Sequence, residues 1–300
     1  MIKIIGEKNM ATKRVNETSG FTLAEGATHV GIFHNIGGTL HRFVESFTHV
    51  GISHITRRVA FTLAEVLITL GIIGIVSALT IPTLVNNYQK KVTVTRLQQT
   101  YAMLNQALKM SQVNNGFMDT WKYPKEQSFE ALETFMKEYI LPYIKVSEIC
   151  EKSSLNTCLH RDTYYLDGRI TSYDETNSAD DKYIMKLANG VYTTFRVADA
   201  LTAIAITVDI NGKPGPNTYG KDLFQLYIPY KVPFNSTTVG KFQQYGIYFR
   251  GAGFPRENLL NGLYDTAYNC NKKTNTYRTG VTCGALIQLD NWQIKDDYPW

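Results

Sequence analysis

The sequence has little histidine and lacks the short motifs that mark common enzyme classes. Only His160 lies beyond residue 60, since the other five histidines all precede it. The chain has no Gly-x-Ser-x-Gly elbow, no His-Glu-x-x-His pair and no phosphate-binding glycine-rich loop ending in Lys-Ser or Lys-Thr. These absences exclude a distal His-cluster metal site or a second catalytic histidine. We predict that the protein is not an enzyme.

The net charge is small away from the N-terminus. The formal net charge is +5, and residues 1–60 hold seven Lys or Arg against four Asp or Glu, so the remainder carries only +2. A nucleic-acid-binding domain concentrates basic residues on one face. We therefore expect no nucleic-acid partner.

Cysteine is absent before position 150, and none of the four cysteines forms a Cys-x-x-Cys pair. This spacing argues against zinc-ribbon and thioredoxin-like folds. Of three possible pairings we favour Cys150 with Cys158 and Cys270 with Cys283, because each closes a short local loop. Four buried free thiols are the alternative. Disulfides persist in oxidising compartments, so this pairing places the distal part of the chain outside the cytoplasm.

One long hydrophobic run extends from Phe61 to Val85, and Glu65 is its single charged side chain. At about 1.5 Å per helical residue, these 25 residues exceed the ~30 Å hydrocarbon core of a bilayer, which predicts a transmembrane helix. A carboxylate near its end costs up to about 3 kcal/mol to insert, so Glu65 needs a partner or a function. Arg57 and Arg58 precede the run and orient the C-terminal part outward by the positive-inside rule.

Residues 1–60 do not have the pattern of a folded domain. Thr28–Ile32 recurs twenty residues later as Thr48–Ile52, in a part of the chain rich in glycine and histidine. We interpret this part as a cytoplasmic leader with repeats, which is removed from the mature protein or forms no fold. A small cytoplasmic domain is the alternative.

The helix is expected to continue past the membrane as an amphipathic helix to about Ser111, because an apolar stripe continues at helical spacing. The stripe consists of Tyr88, Val92, Leu97, Tyr101, Leu104 and Leu108. Pro82 lies inside the helix and is expected to kink or loosen it. Asn114–Gly116 is expected to end it, and a second helix is predicted from about Ser128 to Tyr139.

Beyond residue 180 the hydrophobic period changes to two, which predicts strands. Asn189 and Gly190 lie between two such runs and indicate a type I′ hairpin. The predicted strands are Tyr183–Leu187, Val191–Val197, Thr202–Asp209, Leu223–Ile228, Gln244–Arg250 and Leu286–Ile294.

These elements predict an α+β fold of three segments: a leader at 1–60, a long helix at 61–111 that is transmembrane to about 85, and an extracytoplasmic globular domain at 112–300. An antiparallel sheet usually buries only one side. We expect that side to pack against the amphipathic half of the long helix.

The residues around the start of the hydrophobic run resemble the type IV pilin-like proteins, which include pilins and the pseudopilins of type II secretion systems. Members carry a basic leader, a small residue, an aromatic Phe, a Glu at the fifth mature position and often a Pro at the twenty-second. Here Ala60, Phe61, Glu65 and Pro82 fill the last four positions after Arg57-Arg58, with Ala60 in place of the usual Gly. The resemblance covers residues 57 to about 110.

The resemblance implies a pilin-like fold and a structural role. A prepilin peptidase would cut between Ala60 and Phe61 and methylate the new amino group of Phe61. The subunit would be stored in the bacterial inner membrane as a single-pass protein and then join other pilin-like subunits in a helical filament. In that filament the Glu65 carboxylate would meet the cationic N-terminus of a neighbouring Phe61.

A polar loop between two predicted strands raises the question of calcium. The major pseudopilins carry a calcium site in a loop of similar composition, and hard cations prefer oxygen ligands. Here Asp209, Asn211, Asn217 and Asp222 offer such oxygens. Ordinary turn chemistry is the favoured alternative, since nearby lysines oppose a cation.

Two other functions remain open at this point. The first is a secreted protein whose signal peptide is cut after Val76-Ser77-Ala78, which would leave Leu79 as the first residue. The second is a membrane-anchored extracytoplasmic enzyme or binding module that keeps its leader.

Overall fold

The computed structural model describes residues 61–150, 158, 162–171, 181–198, 201–212, 214–215, 217–263, 267–273 and 278–300. The predicted leader, with Ala60, lies outside the described residues. Phe61 is the first residue described, and the long helix begins two residues later.

Helix α1 spans Leu63–Asn115 and contains 53 residues, with Pro82 inside it. At about 1.5 Å per residue its length is about 80 Å. It ends before Gly116, whose φ of 79° is a backbone conformation that a side chain disfavours. The predicted long helix is therefore confirmed; it continues one turn past the apolar stripe that was expected to reach about Ser111, and it ends inside the predicted Asn114–Gly116 stop.

The two halves of α1 differ in what they contact. Up to Tyr88 its large apolar side chains are exposed, whereas from Thr93 one face is buried against the rest of the chain. The buried face consists of Thr93, Val94, Leu97, Thr100, Leu104, Ala107, Leu108 and Ser111. Four of these are Thr, Ala or Ser, so the buried face is less apolar than the predicted stripe, of which Tyr88 is exposed and Val92 and Tyr101 are half-buried.

A six-stranded antiparallel sheet forms the centre of the distal part, with the strand order β1-β3-β4-β5-β7-β10. Among the described residues the strands are, in chain order, β1 Val146–Ile149, β2 Thr163–Tyr164, β3 Lys182–Leu187, β4 Tyr192–Val197, β5 Ala203–Asp209, β6 Asn217–Thr218, β7 Leu223–Pro229, β8 Phe234–Ser236, β9 Gly240–Phe242, β10 Tyr248–Phe249, β11 Tyr268–Asn269 and β12 Arg278–Thr279. The pairs β2–β6, β8–β9 and β11–β12 form small separate ladders.

The hairpin between β3 and β4 is present, but its turn is not the predicted type I′. Gly190 N donates to Leu187 O at 2.9 Å, and Leu187 N donates to Val191 O at 2.8 Å. Gly190 has a φ of 86°, while Asn189 does not have a positive φ. The connection is therefore a three-residue loop with glycine in the left-handed region, another common hairpin geometry.

One face of the sheet packs against the second half of α1. The rings of Tyr101 and Phe249 stack at 5.1 Å, and Tyr101 Oη donates to Ile247 O at 3.2 Å. Leu97 and Leu104 belong to the same buried cluster as the inward side chains of β3, β4, β5 and β7. The predicted packing of the sheet on the helix is confirmed.

The second face of the sheet is covered as well, which differs from the expectation of a one-sided sheet. Ile184 and Tyr192 are buried there with the Cys150–Cys158 pair, and Tyr227 is buried with Phe242 of the β8–β9 ladder. Short ladders and loops thus replace a second helical layer.

The shorter helices frame this core. Helix α2 spans Phe129–Phe135 and continues through a π turn at Met136–Ile140, which confirms the predicted second helix. Helices α3 and α4 span Arg256–Asn261 and Cys283–Leu289.

Two strand predictions are wrong. Helix α4 occupies the start of the strand predicted at Leu286–Ile294, and of the strand predicted at Gln244–Arg250 only Tyr248–Phe249 pairs. A Cβ at Gly284 would lie 2.4 Å from a ring carbon of Phe249, so glycine lets α4 approach the sheet closely.

The predicted disulfide pairing is confirmed. Cys150 bonds Cys158 and Cys270 bonds Cys283, with Cα atoms 6.3 Å and 4.8 Å apart. The first bridge is anchored beside edge strand β1, and the second ties the β11 region to the start of α4.

Candidate functional site

The start of α1 forms a capping box. The N-cap residue Thr62 accepts from Glu65 N through Oγ1 at 3.2 Å. Glu65 Oε2 in turn accepts from Thr62 N and from Thr62 Oγ1, both at 2.8 Å. This reciprocal pair satisfies backbone donors that the first turn of a helix leaves unpaired.

Thr62 is a residue that the sequence analysis missed. Its signal was present, because Thr-x-x-Glu directly before an apolar run is the sequence pattern of a capping box. The pair holds the Glu65 carboxylate beside the backbone of Thr62, the second residue after the predicted cut. A carboxylate has about four lone-pair sites, so two bonds through Oε2 leave Oε1 able to accept from a second molecule.

The surface that follows this capping box is apolar and exposed. Helix α1 is long and apolar enough to cross a membrane, with a mean hydropathy of 2.2 over its most apolar window and none of that window buried. Phe61 and Leu63 are 79% and 80% exposed. Because burial of each such side chain is worth about 1.5–3 kcal/mol, water is a poor environment for this surface.

The predicted calcium ligands lie around one turn after β5. Asp209 Oδ1 accepts from Gly212 N at 2.9 Å, and Asp209 Oδ2 accepts from Asn217 Nδ2 at 3.1 Å. Ile210 N donates to Asp222 O at 3.0 Å, which places Asp222 next to the same turn. The fold therefore brings Asp209, Asn217 and Asp222 into one neighbourhood.

Burial disfavours the ionised form of both carboxyl groups of this turn. Burial raises the pKa of Asp209 to about 7, against the opposing effect of the donors Gly212 and Asn217. Burial raises the pKa of Asp222 to about 6, although Thr218 N donates to it. The donors around these two carboxylates therefore do not fully offset the loss of water around the ionised forms.

Two amide oxygens of the same turn are also unsatisfied. Asn211 Oδ1 and Asn217 Oδ1 are buried without a hydrogen-bond partner. Unpaired amide oxygens beside two carboxylates whose ionisation is disfavoured by burial are ligands of the kind that a hard cation binds. The oxygen ligands of this turn are of the type that calcium binds. Calcium binding itself stays a prediction.

Calcium is expected to raise the melting temperature of chelator-treated protein, and Asp209→Asn is expected to remove that shift. A cation that binds the folded state alone adds about 2.7 kcal/mol at one hundred times its Kd. Thermal unfolding with and without calcium measures the effect. The exposed acid Asp296, changed to Asn, is the matched control. Equal calcium shifts in both variants would show that the turn binds no calcium.

A second group of metal-ligand side chains is not a metal site in this form. Glu148, Cys150 and Cys158 bring their ligand atoms within 4.8 Å of one another. Both sulfurs are bonded to each other, so neither is available as a thiolate ligand.

A family model described as a family of unknown function (DUF6613) matches residues 83–300. The match begins directly after Pro82, so the residues that carry the resemblance to type IV pilin-like proteins lie outside it. No curated protein and no solved structure matches the chain. Because the family model covers well over half of the sequence, the protein is a member of the family of unknown function DUF6613.

Proposed function

We propose that the chain is the precursor of a structural subunit of a type IV pilus or a type II secretion pseudopilus. One observation carries this proposal. An exposed apolar helical surface with a single acid at Glu65 continues without a break into the helix that supports the folded distal domain.

The proposal gives the exposed half of α1 two successive environments. In the precursor, lipid covers the side chains between Leu63 and Val85. In the filament, the same side chains of neighbouring subunits cover one another, and the helices associate by close packing and polar contacts. Gly71 and Gly74 have no atom within 4 Å of where a Cβ would stand, so another helix can approach there.

Glu65 has a defined part in this scheme. Cleavage before Phe61 would create an ammonium group four residues from the carboxylate. A neighbouring subunit's ammonium group would pair with Glu65 Oε1, since Oε2 is held by Thr62. That contact would exchange a costly acid in lipid for a charge-assisted hydrogen bond and would fix the axial register of the subunits.

A plain membrane anchor with an extracytoplasmic binding domain is the second candidate, and the capping box favours it. Thr62 and Glu65 satisfy each other within one chain, so the acid has a local role without any partner subunit. Thr62→Ala therefore tests whether Glu65 acts only as a helix cap.

Removal of the host's prepilin peptidase tests the proposal. We expect the protein to keep its leader, to stay in the membrane fraction and to disappear from sheared surface filaments or from periplasmic pseudopili. Restoring the peptidase restores the shorter form. Unchanged chain length in both strains would contradict the proposal and leave either a plain anchor or a secreted protein cut after Ala78.

A further inference from the structure

A cleft with both polar and apolar walls lies where α1 meets the base of the distal domain. It has a volume of about 350 Å³ and is lined by side chains of α1, of the turn after β5 and of the C-terminal segment. The aromatic, charged and amide side chains among them are Tyr88, Arg96, Asn211, Lys221, Asp222 and Trp300.

The position of this cleft along α1 is fixed by the apolar run. Tyr88 lies three residues and Arg96 eleven residues beyond Val85, so the cleft extends from about 5 Å to about 16 Å past the end of the run. Headgroups occupy roughly 5–8 Å on each side of the hydrocarbon core. Side chains of a helix point back toward its N-terminus, and long basic side chains reach toward headgroups. The mouth of the cleft is therefore at phosphate depth when α1 spans a membrane.

The cleft is positively charged and partly preorganised. Arg96 Nη1 donates to Ile210 O at 3.1 Å, which fixes the guanidinium at the cleft and leaves other N–H donors for a ligand. Lys272 does not line the cleft, but its Nζ donates to the O atom of the lining residue Trp300 at 2.6 Å, which places it beside the cleft. Asp222 is the acid among the described lining residues, and its Oδ2 accepts from Thr218 N.

The ammonium groups of Lys221 and Lys272 lie close enough to repel each other. Burial, and then the charge of Lys221, lower the pKa of Lys272. An anion between two ammonium groups relieves this repulsion. Tyr88 is 68% exposed and Trp300 is half-buried, and both ring types favour the membrane interface.

We propose that this cleft binds the phosphate group of an anionic phospholipid while the subunit is stored in the membrane. The inference rests on the membrane insertion that the proposed function requires. The lipid would hold the base of the distal domain against the bilayer, and departure into a filament would release it.

The test uses the full-length protein in nanodiscs of phosphatidylcholine alone or of a four-to-one mixture with phosphatidylglycerol, with a chelator present throughout. Native mass spectrometry counts the lipids that stay bound. We expect selective retention of phosphatidylglycerol. The double variant Lys221→Gln, Lys272→Gln is expected to lose it by roughly tenfold or more, since each basic residue near an anionic surface contributes about fivefold.

Matched variants keep the result interpretable. Lys109 and Lys122 are exposed, and Lys109 lies about 36 Å along α1 from Val85, so the pair Lys109→Gln, Lys122→Gln is expected to retain the lipid. Lys221→Arg keeps the charge and is expected to retain it too. Thermal unfolding checks that each variant folds.

Each outcome decides between specific accounts. Equal phosphatidylglycerol retention by the two double variants would overturn the cleft as the site. Stabilisation of the detergent-solubilised protein by inorganic phosphate as strong as that by the lipid would assign the cleft to free phosphate. Failure to enter nanodiscs at all would overturn membrane insertion, and with it the proposed function. Insertion without lipid selectivity would overturn this inference alone.

Discussion

Replacing Glu65 with Ala is expected to leave a membrane-inserted protein that does not enter filaments. Without the carboxylate, the N-terminal ammonium group of a neighbouring subunit has no partner inside the apolar helix bundle. Removing one member of a buried ion pair costs about 3–5 kcal/mol, which is more than about 100-fold in subunit association. Quantification of the protein in sheared filaments against the membrane fraction measures this effect.

The control for this experiment is Thr62→Ala. It removes the N-cap hydroxyl, which costs about 1 kcal/mol of helix stability, and leaves the Glu65 carboxylate in place. We expect this variant to assemble nearly as well as the wild type. If Thr62→Ala and Glu65→Ala reduce assembly equally, Glu65 acts only as a cap and the filament contact is absent.

Removing the Cys270–Cys283 bridge is expected to give the largest loss of stability. Both sulfurs are fully buried in the main core, and the bridge fastens α4 beneath the sheet. Closing a loop of this size is worth about 3 kcal/mol in the chain-entropy account. For a domain of this size, replacing both cysteines with Ala should lower the melting temperature by roughly 6–12 °C.

Reduction of the wild-type protein supplies the matched condition. A reducing agent is expected to lower the melting temperature of the wild type and to leave that of a variant without all four cysteines unchanged. Replacing Cys150 and Cys158 with Ala is expected to cost less, because that loop is shorter and is anchored at an edge strand. A wild type whose melting temperature does not respond to reduction would contradict both bridges.

Helices and strands whose position follows from one local sequence pattern could be predicted from the sequence. The apolar run and the stripe after it predicted α1, and Asn114–Gly116 predicted its end within one residue. The runs after residue 180 predicted β3, β4, β5 and β7, because short apolar runs between turn signals indicate strands, and these four strands pair in one sheet. Most of their residues are buried rather than alternately exposed, since both faces of the sheet are covered.

Features that depend on tertiary contacts were not readable. The run from Cys283 to Leu289 is short and apolar, and periodicity does not separate a buried strand from a buried helix at that length. The close approach of α4 to Phe249, which the absence of a side chain at Gly284 permits, is a tertiary contact that the sequence pattern does not show. Likewise, the type of the turn at Gly190 follows from the register of β3 on β4 rather than from the Asn-Gly pair alone.

The candidate sites likewise have some features that a local sequence pattern predicts and others that depend on tertiary contacts. Glu65 was conspicuous because one acid stood in an apolar run, whereas its partner Thr62 is common in any sequence and was overlooked. The loop acids Asp209 and Asp222 were found by composition. Their burial and the orphaned oxygens of Asn211 and Asn217 emerge only from the folded turn.

The mass of the mature N-terminus tests the central claim most directly. Tandem mass spectrometry of the protein from purified filaments or membranes is expected to show a chain that begins at Phe61 and carries a methyl group on its amine. A chain that begins at Leu79 would identify a conventional secreted protein. A chain that keeps its leader would identify a plain membrane anchor, and either result would contradict a pilin-like subunit.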